Sequence, residues 1–252
     1  MATNLPLIAL MGNPNSGKTA IFNLLTGMNQ KVSNYPGITV EQRRGNAQLT
    51  DNSTVEIMDM PGTYSLTPES LDEKIVAQQT LKWLNGIDRP AAIISVVDAG
   101  NLSRNLYLTS QVMELGIPVI IALNMMDRLK RKNQEIDSVK LQKMLGAHAV
   151  IPMSAQEKWG INELQAELTD VITKENIEVC SHIQMEIPKE IEKIINPISE
   201  FLHNKCDHDN YITNVQALRL ITRKSAFELY SECENLNDAE IKSLILLRDK
   251  AI

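Results

Sequence analysis

Continuous apolar runs punctuate the first two-thirds of the chain: PLIALMG (6–12), VEIMDM (55–60), AAIISVVDA (91–99), IPVIIALN (117–124) and HAVIPMS (148–154). Runs this short, and apolar at successive positions, predict strands buried on both faces of a sheet. Between and after them lie stretches whose apolar residues recur every three to four positions. These are KTAIFNLLTG (18–27), SLDEKIVAQQTLKWLNG (70–86), NLYLTSQVMELG (105–116), VKLQKMLG (139–146) and INELQAELTDVI (161–172). Strand and helix in alternation imply an α/β fold, a mostly parallel sheet with right-handed crossovers and helices on both faces. VEQRRGNAQLT (40–50) is polar and alternating, and predicts an edge strand antiparallel to 55–60, for six strands in all.

Beyond about residue 176 the pattern becomes purely helical. Ile191, Ile194, Ile195, Ile198, Phe201 and Leu202 mark one face of a helix over 188–204, with a kink expected at Pro197. A second helix is expected over 213–233, carrying Val215, Leu218, Ile221, Phe227 and Tyr230. A third opens at Asn237 with Glu240 three residues on, the spacing of a capping box. Glycine usage marks the same break, since all eleven glycines lie between Gly12 and Gly160. The reading is a nucleotide-binding domain over 1–175 followed by a small all-helical domain over 176–252.

The net charge of −6 argues against general nucleic-acid binding. Three scattered cysteines, Cys180, Cys206 and Cys233, make a disulfide framework improbable and fit a reducing cytosol. The N-terminus has no basic leader, and its apolar run leads straight into a glycine loop, so it reads as a first strand rather than a signal peptide. No apolar run approaches the roughly 18 residues that a membrane helix needs.

Candidate chemistry sits where the strands end. MGNPNSGKT (11–19) contains G-x-x-x-x-G-K-S/T complete, between a strand and a helix. Such a loop, here Gly12, Asn13, Pro14, Asn15, Ser16 and Gly17, cradles phosphates with backbone N–H groups. Lys18 then supplies charge to the β- and γ-phosphates, Thr19 a hydroxyl to Mg²⁺, and Ala20 continues the helix N-terminus. DMPG (59–62) ends the next strand but one; Asp59 would hold Mg²⁺ through a water, and the Gly62 N–H would meet the γ-phosphate. In NMMD (124–127), a carboxylate at Asp127 can accept from the N1–H and 2-amino group of guanine, a donor pair that adenine lacks. Asn124 would brace the loop and touch the base, and Met125 replaces the lysine of the familiar N-K-x-D. MSAQ (153–156) supplies Ser154, Ala155, whose N–H would meet guanine O6, and Gln156. The order of these loops is far more specific than any one of them and predicts a P-loop GTPase domain.

GNPNSGKTAIFNLLTG, NYPGITVEQRRG, DMPGTYSL and the stretch VVDAGNLSRNLYLTSQVMELGIPVIIALNMMD together resemble the N-terminal cytoplasmic portion of the bacterial ferrous iron transport protein B family, over about residues 6–172. The tail matches that family mainly in length, position and helicity. The resemblance implies a GTPase domain, a helical domain, and then a polytopic membrane domain carrying the iron path. That would put this chain on the cytoplasmic face of the inner membrane. It implies that NYPGITV (34–40) is the first switch, with Gly37, Ile38 and Thr39 at the nucleotide and Thr39 closing on Mg²⁺. It makes SLTPESLDEKIV (65–76) the second switch and its helix. It also implies that Asn15 binds an activating K⁺, the ion's shell completed by backbone carbonyls around 30–36. The partners implied are GTP and GDP, the protein's own transmembrane domain, a second copy of the chain, and small accessory iron-transport proteins.

Hydrolysis of GTP to GDP and phosphate would then rest on Asn15, Lys18, Thr39 and Gly62, with slow intrinsic turnover. Thr63 stands where well-known GTPases carry a water-orienting glutamine, and it is too short to copy that reach. The water is therefore expected near main-chain groups of Thr39 and Gly62; Tyr64 reads as a packing aromatic before it reads as a water-orienter. In FLHNKCDHDN (201–210), His203, Cys206 and His208 invite a metal reading, but the stretch fits an interhelix loop better. Two other classes compete. An RNA-associated GTPase would need a basic tail, whereas 176–252 has nine Lys/Arg against thirteen Asp/Glu. A non-hydrolysing regulatory GTP-binding module remains open because the glutamine is missing.

Overall fold

The computed structural model describes residues 5–27, 30–34, 41–67, 70–174, 187–205, 210–222 and 237–251. Two compact units emerge: Met1–Leu66 with Pro90–Ile183, and Thr67–Arg89 with Gln184–Ile252. The first is built on a seven-stranded sheet of order β2-β3-β4-β1-β5-β6-β7. Its strands are β1 (Leu7–Gly12), β2 (Gln30–Asn34), β3 (Glu41–Gln48), β4 (Thr54–Asp59), β5 (Ala92–Asp98), β6 (Val119–Asn124) and β7 (Ala149–Pro152). The buried apolar runs are the parallel part: β1 pairs with β4 and β5, and β5, β6 and β7 follow in parallel.

The expected six-strand count is corrected to seven, and β3 is not the edge. β3 does pair antiparallel with β4, but β2 pairs antiparallel on its far side. QKVSN gave no strand signal because its one apolar residue, Val32, is 54% exposed. Backbone pairing alone makes this strand, and it carries no buried face for periodicity to register. It also places residues 30–34 in a ladder, where the resemblance had put carbonyls of a switch loop.

Helix α1 (Lys18–Thr26) covers one face of the sheet. Its Ile21, Phe22 and Leu25 pack with Ile8, Leu10, Ile57, Ile94 and Ile120, and with Leu164, Leu168 and Val171 of α6 (Ile161–Thr173). α3 (Leu102–Met113) packs on β5 and β1, and a buried Ser95–Thr109 hydroxyl pair at 2.9 Å joins it to the sheet. The strand order reverses about β1, and loops leaving the carboxyl ends there form the natural ligand crevice of an open α/β sheet. Register brings those ends level: Leu10 lies beside Asp59, Gly12 beside Val96, and Asp98 beside Asn124.

The second unit is helical. It contains α2 (Leu71–Leu84), α7 (Lys189–Lys205), α8 (Asn210–Thr222) and α9 (Asp238–Ala251). Ser70 caps α2 by accepting from the Glu73 N–H. Ala77 and Leu81 of α2 share one core with Ile195, Ile198, Leu202, Ala217, Leu220 and Leu244. The helix expected over 188–204 is found one residue later, with Pro197 inside it. The helix expected over 213–233 already begins at Asn210, and its second half lies outside the described residues. At α9 the capping box is complete: Asn237 Oδ1 accepts from the Glu240 N–H at 3.0 Å, and Glu240 Oε2 accepts from the Asn237 N–H at 2.9 Å.

Candidate functional site

The phosphate loop folds as its glycines require. Gly17 caps α1 with φ +93°, and a Cβ there would lie 2.2 Å from Asn124 Nδ2, so only glycine fits. Asn15 takes a left-handed φ of 63° at the exposed lip of the loop. Thr19 and Ala20 are exposed on the first turn of α1, and Pro14 is exposed beside them. Asn13 and Ser16 are buried, and neither Asn13 Oδ1 nor Ser16 Oγ has a hydrogen-bond partner among the described residues. Buried polar atoms are normally paired. Two such atoms in one loop fit a site built around a polar ligand.

At the end of β4, Asp59 Oδ1 accepts from Lys18 Nζ at 2.6 Å, both side chains being about nine-tenths buried. Neither charge would be tolerated there alone, because each loses its hydration. The DMPG turn lies against the phosphate loop: the Thr63 N–H donates to the Gly12 carbonyl at 3.3 Å. A Cβ on Gly62 would lie 3.2 Å from the Pro14 backbone. Thr19 and Asp59 each offer an oxygen donor, the chemistry that suits a hard divalent ion such as Mg²⁺. Thr39, Gly37 and Ile38, the remaining first-switch residues, lie outside the described residues.

The base loops form a second frame. Asn124 Nδ2 donates to the Ser16 carbonyl at 2.9 Å, and its Oδ1 accepts from the Ala155 N–H at 2.9 Å. One side chain thus ties the phosphate loop to the last loop, as a bracing residue should. The Ala155 amide, expected to face a base oxygen, is directed at Asn124 instead. Asp127 is 4% exposed and opens the short helix α4 (Met126–Arg131), which carried no sequence signal of its own. Its Oδ1 accepts from Ser154 Oγ at 2.8 Å and its Oδ2 from Arg131 at 2.5 Å. Met125 caps this helix with φ 65°, and its methyl would lie 3.8 Å from a Cβ on Gly17. Gln156 is exposed on the same loop as Ala155. Arg131 was missed in the sequence, where only its i+4 spacing from Asp127 pointed to it.

The Thr63 side chain is engaged within its own loop. It is buried, and its hydroxyl donates to the Ser65 carbonyl at 2.6 Å. Tyr64 lies under the Arg104 guanidinium, 4.1 Å from ring centre to charge, a cation–π packing role. In the tail, His203 lies on the last turn of α7, while Cys206, His208, Cys180 and Cys233 fall outside the described residues. A separate group, His148, Glu167 and Asp170, ties the approach to β7 to α6, with Lys174 Nζ on Asp170 at 2.7 Å.

A complete phosphate loop, a strand-end aspartate on its lysine, and an Asn–Asp–Ser frame on the same sheet edge define the fold of a P-loop GTPase domain. The chain belongs to the ferrous iron transport protein B family, whose model matches residues 7–168. It is 44% identical over 181 residues to the Fe(2+) transporter FeoB of Escherichia coli (strain K12), covering 70% of this chain and 22% of that protein. Against the Fe(2+) transporter FeoB of Legionella pneumophila (strain Paris) it is 40% identical over 200 residues, 78% of this chain and 25% of that protein. The chain thus spans about a quarter or less of the length of these curated relatives. Among solved structures, a mutant S. thermophilus NFeoB bound to GDP superposes with TM-score 0.78 at 35% identity, covering 98% of this chain and 89% of that one. The cytosolic domain of T. maritima FeoB in GMPPNP form gives 0.77 at 32% identity, covering 98% and 94%. Among the described residues, no helix is long and apolar enough to cross a membrane.

Proposed function

We propose that this chain binds GTP and hydrolyses it to GDP and phosphate, as the cytoplasmic part of a bacterial inner-membrane ferrous iron transporter, where it regulates or powers uptake. The observation that carries the reading is the Asn124 bridge. It ties the phosphate loop to the loop of Ala155, whose neighbour Ser154 bonds the guanine-type carboxylate Asp127. Relatives solved with GDP and GMPPNP support the choice of nucleotide. Lys18 Nζ is placed to pass its hydrogen bonds from Asp59 to the β- and γ-phosphate oxygens. The backbone N–H groups of Asn13–Thr19 orient the phosphates, and the Gly62 N–H reads the terminal one. Magnesium bound by Thr19, Asp59 and Thr39 would spread the developing negative charge. Asn15, exposed at the lip of the loop, is the residue we assign to an activating K⁺. Catalysis thus draws on Asn15, Lys18, Thr39 and Gly62, with slow turnover in the absence of K⁺.

The nucleotide-binding unit serves as sensor and the helical unit, which includes α2, as responder. The chain leaves the DMPG turn and enters α2, whose Ala77 and Leu81 lie in the core of the helical unit. A shift of Gly62 on the terminal phosphate is therefore delivered covalently into that unit, and onward to the protein's own transmembrane domain. A second copy and small accessory proteins are further partners; nucleic acid is not.

The test is single-turnover hydrolysis of GTP and ATP in KCl and in NaCl, for wild type and Asn15→Asp. We expect turnover of GTP alone, faster in K⁺, with the K⁺ advantage lost in the variant. Equal use of ATP would refute the guanine assignment, and equal rates in both salts the K⁺ assignment. A non-hydrolysing regulatory module is the second reading, favoured by the Thr63 hydroxyl being engaged within its own loop. A complete lack of turnover with tight GTP binding would select it.

A further inference from the structure

We infer that Arg131 is a positioning residue that sets base specificity by fixing the plane of the Asp127 carboxylate. The inference rests on the guanine reading of Asp127 given above. A carboxylate held by one donor can swing about its Cβ–Cγ bond. Asp127 is held by two, from different elements: Ser154 Oγ on Oδ1 at 2.8 Å, and Arg131 on Oδ2 at 2.5 Å. Arg131 also lies 3.7 Å from Glu157 Oε1, so its guanidinium spans α4 and the loop after β7. The next side chain back, Lys130, stacks its ammonium 4.5 Å from the Trp159 ring centre on that same loop.

Each carboxylate oxygen can accept two hydrogen bonds. With one site per oxygen taken, each oxygen keeps the capacity for one more hydrogen bond. That pair matches two adjacent donors, the N1–H and 2-amino group of a guanine. Hypoxanthine offers only the first of these, and adenine neither. Arg131 also matches the charge of a carboxylate only 4% exposed, while its own side chain is 64% exposed and keeps its other N–H groups in water. It therefore holds Asp127 from a side chain that itself remains largely in water.

The test compares GDP, inosine diphosphate and ADP affinities for the full chain as wild type, Arg131→Met and Arg131→Lys, with thermal midpoints recorded alongside. Arg131→Met should weaken GDP by about tenfold. It should weaken inosine diphosphate less, so that the ratio of the two affinities falls about threefold or more. Arg131→Lys should recover much of that ratio. An equal loss for GDP and inosine diphosphate would mean general support of the loop, and would overturn the inference. So would an unchanged ratio, or tighter GDP binding in Arg131→Met. If wild type bound ADP as well as GDP, the guanine reading itself would fail, which is a separate outcome.

Discussion

Replacing Asn124 with alanine removes a side chain that bridges the phosphate and base loops. In the structure it is 2% exposed and makes two 2.9 Å bonds, donating to the Ser16 carbonyl and accepting from the Ala155 N–H. Both partners are main-chain groups of buried residues, so truncation leaves one buried acceptor and one buried donor unpaired. Each such orphan costs about 1–3 kcal/mol, which puts the loss near 2–5 kcal/mol. For a domain of this size that lowers the thermal midpoint by roughly 5–15 °C. Asn124→Asp separates the two bonds. It keeps an acceptor for Ala155 but sets a carboxylate against the Ser16 carbonyl, so it should be no better than alanine despite its matching size. The assay is circular-dichroism melting without nucleotide, followed by GDP titration. A midpoint within about 2 °C of wild type in Asn124→Ala would refute the reasoning. It would mean that water or loop rearrangement satisfies both groups, and that the frame does not depend on this residue.

Leu81→Ala, in a side chain 5% exposed within the core shared by α2, α7, α8 and α9, should destabilise the helical unit by about 2–5 kcal/mol. GDP affinity should stay within about twofold, since Leu81 touches no nucleotide loop; melting and titration on one sample check both. Tyr64→Ala should lose the Arg104 stacking yet keep GTP hydrolysis within about threefold, and Thr63→Ala should behave alike; loss of hydrolysis with intact binding in either would place a side chain at the water. The Glu240 carboxyl is held below its usual value by the Lys205 ammonium and then by the Asn237 N–H. Its stabilising effect is therefore present above the unfolded value near 4.5 and lost as pH falls through the lowered folded value. The melting difference between wild type and Glu240→Gln should accordingly be seen at pH 7 and vanish well below pH 4.

The parallel strands were legible because each is apolar on both faces, and the motifs were legible because glycine and lysine spacing mirrors phosphate geometry. β2 was not legible, since Gln30–Asn34 bury no face that could leave a period in the sequence. Nor was the membership of α2. Its apolar positions show only that it has a buried side, and nothing in a single helix says whether that side meets a sheet or other helices. The Asp127 surroundings were half legible: the carboxylate follows from the motif, whereas Arg131 is one of several cations in DRLKRK and only the fold of α4 selects it.

These placements change where catalysis must be sought. The glutamine position holds a threonine whose hydroxyl is turned into its own loop, and the neighbouring tyrosine is pinned under Arg104. Neither side chain can orient a water without first breaking a contact seen here. The DMPG turn, by contrast, is already bonded to the phosphate loop through the Thr63 N–H, and a Cβ on Gly62 would press on the Pro14 backbone at 3.2 Å. The proposed hydrolysis therefore looks to main-chain groups of this turn, and not to these two side chains, to hold the water. In the proposed function such a device would respond to the terminal phosphate through the position of Gly62, and the chain would carry that displacement on toward α2. Catalysis and signalling would then share one moving part, so a substitution that stiffens residues 62–67 should slow hydrolysis and uncouple the helical unit together.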